Sequence, residues 1–230
     1  DYYYVTPGHQ VPTGVTMSSA RRRQLLEHAA RHDAVIIEDD YDSESNFTLN
    51  PLPALKASDR SGRVVYVSSL SKALSPGLRL GFMVADPDLI DEARALRRLV
   101  YRHPPTNIQY QMAHFLALGH YETHLRRYHY DSAQRWERLH AALQRYLPSC
   151  RALAGSEHAN AFWLQTPAQI NTQQLTWRAA HAGVLIEPGA RHFLSAAPPD
   201  NYFRMGFHAI NPDAIAQGVE VLRGQLEQMG

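Results

Sequence analysis

Cysteine is almost missing from this sequence. Cys150 is the single one in 230 residues, so no intramolecular disulfide can form, and the usage suits a reducing cytoplasm. Lysine is nearly as scarce: only Lys56 and Lys72 offer a side-chain amine. No apolar run approaches the length needed to cross a bilayer. The formal net charge of +1 gives no field strong enough to argue for nucleic acid or a membrane surface by itself. Thirteen histidines are present, but none falls at a spacing that argues for a metal site. There is no internal repeat and no low-complexity tract. What is present is a hydrophobic content of 44%, enough for one large core or two smaller ones.

The most informative stretch runs from Val64 to Ala85. Val64 to Val67 is a β-branched and aromatic run with the profile of a buried strand. Ser68, Ser69 and Ser71 then crowd around Lys72, a Ser75-Pro76-Gly77 turn follows, and a second apolar strand is predicted from Leu78 to Val84, carrying Arg79. Hydroxyls with an arginine suit a phosphate, because arginine supplies a bidentate charged fork and serine short neutral donors. A lysine held between apolar strands is expected to lose proton affinity through desolvation, which favours nucleophilic amine chemistry. The ordinary alternative is a serine-rich loop with a solvated lysine.

A second cluster lies upstream. Ala34 to Glu38 reads as a short buried strand whose end releases Asp39, Asp40, Tyr41, Asp42 and Glu44. In open α/β sheets ligands bind beyond the carboxyl ends of the strands, so Asp39 and Tyr41 are delivered to a ligand position. A solvated acidic turn would explain the charge, but not its attachment to a wholly apolar strand.

Together these residues resemble a known site. Ser69-Leu-Ser-Lys72 followed by Gly77-Leu-Arg-Leu-Gly81, with the acidic strand end upstream, is similar to the pyridoxal 5'-phosphate (PLP) site of fold-type I aminotransferases. His9 to Ser18 and Glu38 to Glu44 resemble, more narrowly, the aminotransferase-like domain of MocR-type transcriptional regulators. The resemblance runs from about Tyr4 to the C-terminus. It implies an α/β fold: part of the large, mostly parallel-sheet PLP-binding domain at 1–118, a bridging long helix at 119–147, and a small C-terminal α+β domain at 148–230. It also implies roles. Lys72 would bind the cofactor as an internal aldimine, Asp39 would pair with the pyridine nitrogen, and Tyr41 would bond the ring 3-hydroxyl. Ser69, Ser71 and Arg79 would hold the phosphate, and Arg204 would grip the carboxylate of an amino compound. Between Asp39 and Asp40, strand alternation lets only one face the ring.

The resemblance further implies a homodimer that senses an amino acid or amine effector. DNA would be bound only through an N-terminal winged helix-turn-helix absent from this chain. Because the chain opens directly on Asp1-Tyr-Tyr-Tyr-Val-Thr6, it is expected to lack the first part of the large domain, with its phosphate cup and ring-stacking aromatic, and so to hold PLP weakly. One departure stands out: ordinary aminotransferases carry an asparagine before the Pro-Thr-Gly turn, where this chain has Val11. That leans toward a regulator. A free-standing aminotransferase and a remnant that binds nothing are the alternatives.

The rest reads as packing. A helix capped by Ser18 or Ser19 runs to Arg31, with Leu25, Leu26, Ala29 and Ala30 as its apolar face and Arg21 to Arg23 as a solvated one. Asn50-Pro-Leu-Pro53 is a loop. Leu89, Ala93, Leu96 and Val100 form the apolar stripe of a helix from Pro87 to Arg102. Helices follow from Thr106 to Leu118 and, beyond Gly119, to Leu147, the latter striped by Trp136, Leu139, Leu143 and Tyr146. Strands are expected at Ala161–Gln165, Gly183–Glu187 and Asn201–Phe207, and helices at Thr172–Ala182 and around Ile215 to Leu226. Arg204 stands in an aromatic and apolar strand, where a buried cation needs an anion: a ligand, or a carboxylate of the protein itself.

Overall fold

The computed structural model describes residues 1–42, 44, 46–47, 51–153 and 160–229. Ser43, within the Tyr41–Glu44 signature, and Asn50, in the predicted loop, lie outside them. The chain divides into two compact units, one of residues 1–10 and 16–129, the other of residues 11–15 and 130–230.

The first unit is built on a four-stranded sheet in the order β1 (Tyr2–Val5), β2 (Val35–Asp40), β3 (Val64–Ser69), β4 (Gly81–Val84). β1, β2 and β3 run parallel and β4 is antiparallel. Helix α1 (Ser19–Arg31) makes the crossover from β1 to β2, and the Ser18 hydroxyl caps it by accepting from the Arg21 amide. Ala29, Ala34, Ile36, Leu55 and Val64 form the core, with Tyr3, Val5, Leu25 and Leu26 packed against it. Each fully buried Ile, Leu or Val of that set contributes about 1.5–3 kcal/mol relative to exposure. Ala30, expected on the apolar face of α1, is exposed.

One arginine departs from the solvated face predicted for Arg21 to Arg23. Arg22 is buried, and its guanidinium donates to three loop carbonyls: Met17 at 2.9 Å, Pro53 at 2.7 Å and Pro7 at 2.8 Å. Those carbonyls sit in loop segments outside the sheet; Pro7 also accepts the Met17 amide, and the Arg22 side chain serves all three. Glu38 does the equivalent for donors. Its carboxylate, 1% exposed, accepts from the Leu55 and Lys56 amides and so caps the short helix α2 (Leu55–Ser58), a turn the sequence reading left as loop.

After β4 come α3 (Pro87–Tyr101) and α4 (Thr106–Ala117). The stripe expected to be core on α3 is open: Leu96 is 63% and Val100 69% exposed, and α3 buries none of its residues. The helical period was real, but no described residue covers that face.

The long helix α5 (His120–Tyr146) contributes residues 120–129 to the first unit and the remainder to the second. The second unit holds a sheet in the order β5 (Arg151–Ala152), β6 (Ala161–Gln165), β8 (Tyr202–Gly206), β7 (Glu187–Pro188), antiparallel throughout. The strand expected from Gly183 shrinks to Glu187–Pro188, because Gly183 takes a positive φ of 86° that ends helix α6 (Thr172–His181). One sheet face carries Phe162, Leu164, Phe203 and Met205, all buried, with Trp136 of α5 stacked on Phe162 at 5.7 Å. Ile215, Val219, Leu222 and Leu226 of α7 (Ile215–Glu227) are buried at their expected spacing, as are Leu139 and Leu143 of α5.

Replacing Arg22 by methionine removes its bonds to the Met17, Pro53 and Pro7 carbonyls and the charge that opposes the burial of Glu38, and should destabilise the protein by about 3 kcal/mol or more. Arg23→Met, on the exposed side of the same helix, should change stability by about 0.5 kcal/mol or less. Urea unfolding of the two variants checks this; equal losses would show that Arg22 is not a structural tie.

Candidate functional site

Strand alternation sorts the acidic run into two sets. Ile36, Glu38 and Asp40 point to the face covered by α1 and α2, while Asp39 points to the other. On the covered side Asp40 accepts from the Tyr66 hydroxyl at 2.9 Å, and buried Asp42 pairs with the buried His9 ring at 3.4 Å. On the opposite side Asp39 accepts a short hydrogen bond from the Tyr4 hydroxyl. That bond holds the Tyr4 proton and pushes its pKa up to about 12. Tyr4 and His9 carried no signal of these roles in the sequence, since each depends on a partner more than thirty residues away.

The turn after β3 supplies the amine. β2 and β3 are adjacent and parallel, with Asp39 opposite Val67 in register, so their C-terminal ends present Tyr41 and Lys72 side by side. The Lys72 ammonium lies over the Tyr41 ring, 5.8 Å from its centroid. The Tyr41 hydroxyl reaches the His9 carbonyl at 3.4 Å. Lys72 is exposed in its turn, so the desolvation invoked from flanking apolar strands is not in place. The turn itself is fixed from behind, because the His124 ring bonds the carbonyl of buried Ala73 at 2.6 Å. A carbonyl only accepts, so His124 carries its proton on Nε2. Lys56, the other lysine, is tied to the Val64 carbonyl at 2.7 Å and to Asp59 at 3.6 Å.

The serines divide as well. Ser68 is buried and donates to the Asp40 carbonyl at 3.0 Å, which makes it part of the sheet. Ser69 accepts from the Ser71 amide at 3.2 Å, leaving its own proton available. Arg79 is not in a strand: it follows a 3-10 turn at Pro76–Leu78 and takes the left-handed conformation, φ 47°. β4 begins only at Gly81, where any side chain would meet the Ser68 carbonyl at 2.7 Å. A non-glycine residue in the left-handed region costs about 1 kcal/mol or more, and such strain is concentrated where a backbone holds a working side chain. Arg79 is exposed and has no protein partner among the described residues.

In the second unit Arg204 lies directly across from Trp163 on one neighbour strand and Glu187 on the other. Its guanidinium meets Glu187 at 3.4 Å, so the protein carboxylate weighed in the sequence reading is present.

Burial pushes the Asp40 carboxyl above the usual range, against the hydrogen bond from Tyr66, and does the same to Glu38 and Glu44. A raised value in the folded protein means that the protonated form is favoured there. The stability Asp40 contributes is therefore complete at low pH and is lost as pH rises through its folded pKa. Asp40→Asn removes that titration and keeps an acceptor for Tyr66. Its stability relative to the parent should therefore climb between pH 4 and 7 in urea titrations. A difference independent of pH would contradict the assignment.

A family model described as aminotransferase class I and II matches residues 5–222. The chain is 40% identical over 216 residues to the HTH-type transcriptional regulator TauR of Rhodobacter capsulatus, covering 93% of this chain and 44% of that protein. It is 34% identical to the probable rhizopine catabolism regulatory protein MocR of Rhizobium meliloti, covering 96% of this chain and 44% of the relative. The chain thus spans a little under half the length of these curated relatives. Among solved structures it superposes with a TM-score of 0.88 and 27% identity on LysN, an α-aminoadipate aminotransferase from Thermus thermophilus complexed with N-(5'-phosphopyridoxyl)-L-leucine. That match covers 99% of this chain and 59% of LysN. A match of that extent to the family model makes this chain a member of the class I and II aminotransferase family.

Proposed function

We propose that this chain is the PLP-binding, effector-sensing domain of a MocR-type transcriptional regulator. The observation that carries the reading is the placement of the Lys72 amine over the ring of Tyr41, which directly follows β2 and its Asp39. The donor set fits a phosphorylated pyridine aldehyde. There is an accessible amine, a carboxylate for the ring nitrogen and a phenol for the ring hydroxyl. The hydroxyls of Ser69 and Ser71 and the Arg79 fork, which has no protein partner among the described residues, suit a phosphate.

When bound, PLP supplies an electron sink at a protonated pyridine ring. The chain's own residues do the rest. Lys72 would supply the amine that holds the cofactor, and Asp39 would hold a proton at the ring nitrogen. Tyr4, bonded to Asp39, fixes the carboxylate's orientation. Tyr41 positions the ring hydroxyl, and Ser69, Ser71 and Arg79 hold the phosphate. Arg204 takes the carboxylate of an amino acid or amine-bearing effector. In the whole protein, a cytoplasmic homodimer, DNA is contacted by a helix-turn-helix segment outside this chain, in keeping with a net charge of only +1.

A second reading, a working aminotransferase, draws on the match to LysN; Val11, in place of the asparagine that would touch the ring hydroxyl, tells against vigorous turnover.

With only two lysines, the assignment has an internal control. After incubation with excess PLP and borohydride reduction, peptide mass spectrometry should find the phosphopyridoxyl group on Lys72 and not on Lys56. The visible absorption band should vanish in Lys72→Ala. Asp39→Asn should release cofactor more readily than Asp40→Asn, since Asp39 faces away from α1 and α2 whereas Asp40 is tied to Tyr66. A band that survives Lys72→Ala, or equal effects of the two aspartate changes, would refute the site. Sustained transamination of an amino acid by the protein would select the second reading.

A further inference from the structure

Glu187, on the Arg204 side of the small sheet, lies against two arginines and a histidine ring. Its Oε1 lies 3.3 Å from the Arg191 guanidinium and 3.3 Å from the His192 ring, and its Oε2 lies 3.4 Å from Arg204. The position is not accidental. Glu187 and Arg204 are direct cross-strand partners on β7 and β8, and Trp163 stands on the other side of Arg204, on β6. Trp163 is buried, stacks on Tyr202 at 5.5 Å and meets the His192 ring edge-on at 5.8 Å, forming a rigid wall. The chain leaves Glu187 through Pro188 and Gly189, where a side chain would collide with Trp163 at 2.5 Å and with the Tyr202 carbonyl at 2.6 Å. A glycine is therefore needed there, and it keeps the chain that leaves β7 close beside the wall.

The pairing is incomplete on the arginine side. A guanidinium has five donors in a planar fork, and Glu187 engages a single Arg204 nitrogen, Nη1, at the long end of a charged hydrogen bond. Among the described residues the remaining Arg204 donors have no protein partner. The side chain is nevertheless three-quarters removed from water. So Arg204 presents one free edge to an anion while a resident carboxylate sits on the other.

We propose that Glu187 is a specificity-determining residue. By half-occupying Arg204 it lowers affinity for carboxylates in general and selects against ligands with two of them. Neutral zwitterionic amino compounds with a single carboxylate are the class that fits. This rests on the reading of Arg204 as the carboxylate-binding residue. Two carboxylates sharing one guanidinium lie inside the screening length of about 8 Å, so they repel, and each further negative group on a ligand adds to that repulsion. Arg191 contacts the other Glu187 oxygen and so opposes its displacement when a ligand arrives.

The test needs no cofactor. Propionate and succinate are titrated, at constant pH and ionic strength, into the protein, with the arginine side-chain N–H resonances followed by NMR. The Arg204 signals are identified by their loss in Arg204→Lys. Removing the charge with Glu187→Gln should tighten propionate binding about three- to tenfold, and succinate binding by a larger factor. Glu187→Ala should act in the same direction, which guards against a fault peculiar to the glutamine. Near-UV circular dichroism checks that each variant is folded. If Arg204 responds to propionate but its affinities are unchanged or weaker in both variants, Glu187 does not set selectivity, while the reading of Arg204 stands. If Arg204 responds to neither anion in any variant, that reading is wrong and the role of Glu187 goes with it.

Discussion

Strand β2 sends successive side chains to opposite faces, and the chemistry of the first unit follows from that two-residue period. A run of acids would repel itself if gathered on one side. Here the pleat divides it: Glu38 and Asp40 go under the helices, and Asp39 goes to the face served by Tyr4. The division leaves Asp39 on the face away from the helices and gives the others structural partners. A slip of one residue in the β1–β2–β3 register would exchange the two sets. It would bury Asp39 and expose the acceptor that caps α2.

Burying acids has to be compensated, and the compensation explains the surrounding loops. Glu38 is nearly inaccessible and keeps its place by accepting two backbone amides, with Arg22 close enough to oppose the desolvation that raises its pKa. Arg22 is held in turn by three carbonyls from segments that proline keeps out of regular structure. Farther along, Glu44 accepts from Tyr121 while its backbone carbonyl bonds His129 at 2.7 Å. The non-helical stretches around β2 are thus fixed by long polar side chains rather than by apolar contacts.

This also marks what could be read from the chain alone. The strands at Val64 and Ala34, the helix at Ser19 and the buried stripe of α7 were legible because each rests on local period and capping. The lysine turn was legible because its residue types are concentrated in a dozen positions. Arg22 was misread because three consecutive arginines on a helix differ only in what the fold brings near them. Tyr4, His9 and His124 were passed over for the same reason. The stripe of α3 was read correctly as a period and wrongly as buried: amphipathicity states which face is apolar, not whether anything described here covers it.

Arg204 illustrates the limit from the other direction. A cation in an aromatic and apolar strand requires an anion, and the sequence left two candidates. The register of β7 and β8 admits both, because a cross-strand glutamate can reach only part of a guanidinium whose neighbour on the other side is a tryptophan. If Glu187 satisfied the whole fork, Arg204 would be a structural ion pair with nothing to offer a ligand. If Glu187 were absent, Arg191 and Arg204 would form an unopposed cationic patch that draws multiply charged anions without discrimination. One carboxylate placed on one nitrogen sits between these extremes. It keeps the arginine oriented and partly neutralised while leaving an edge whose preference is set by how much further negative charge it must accept.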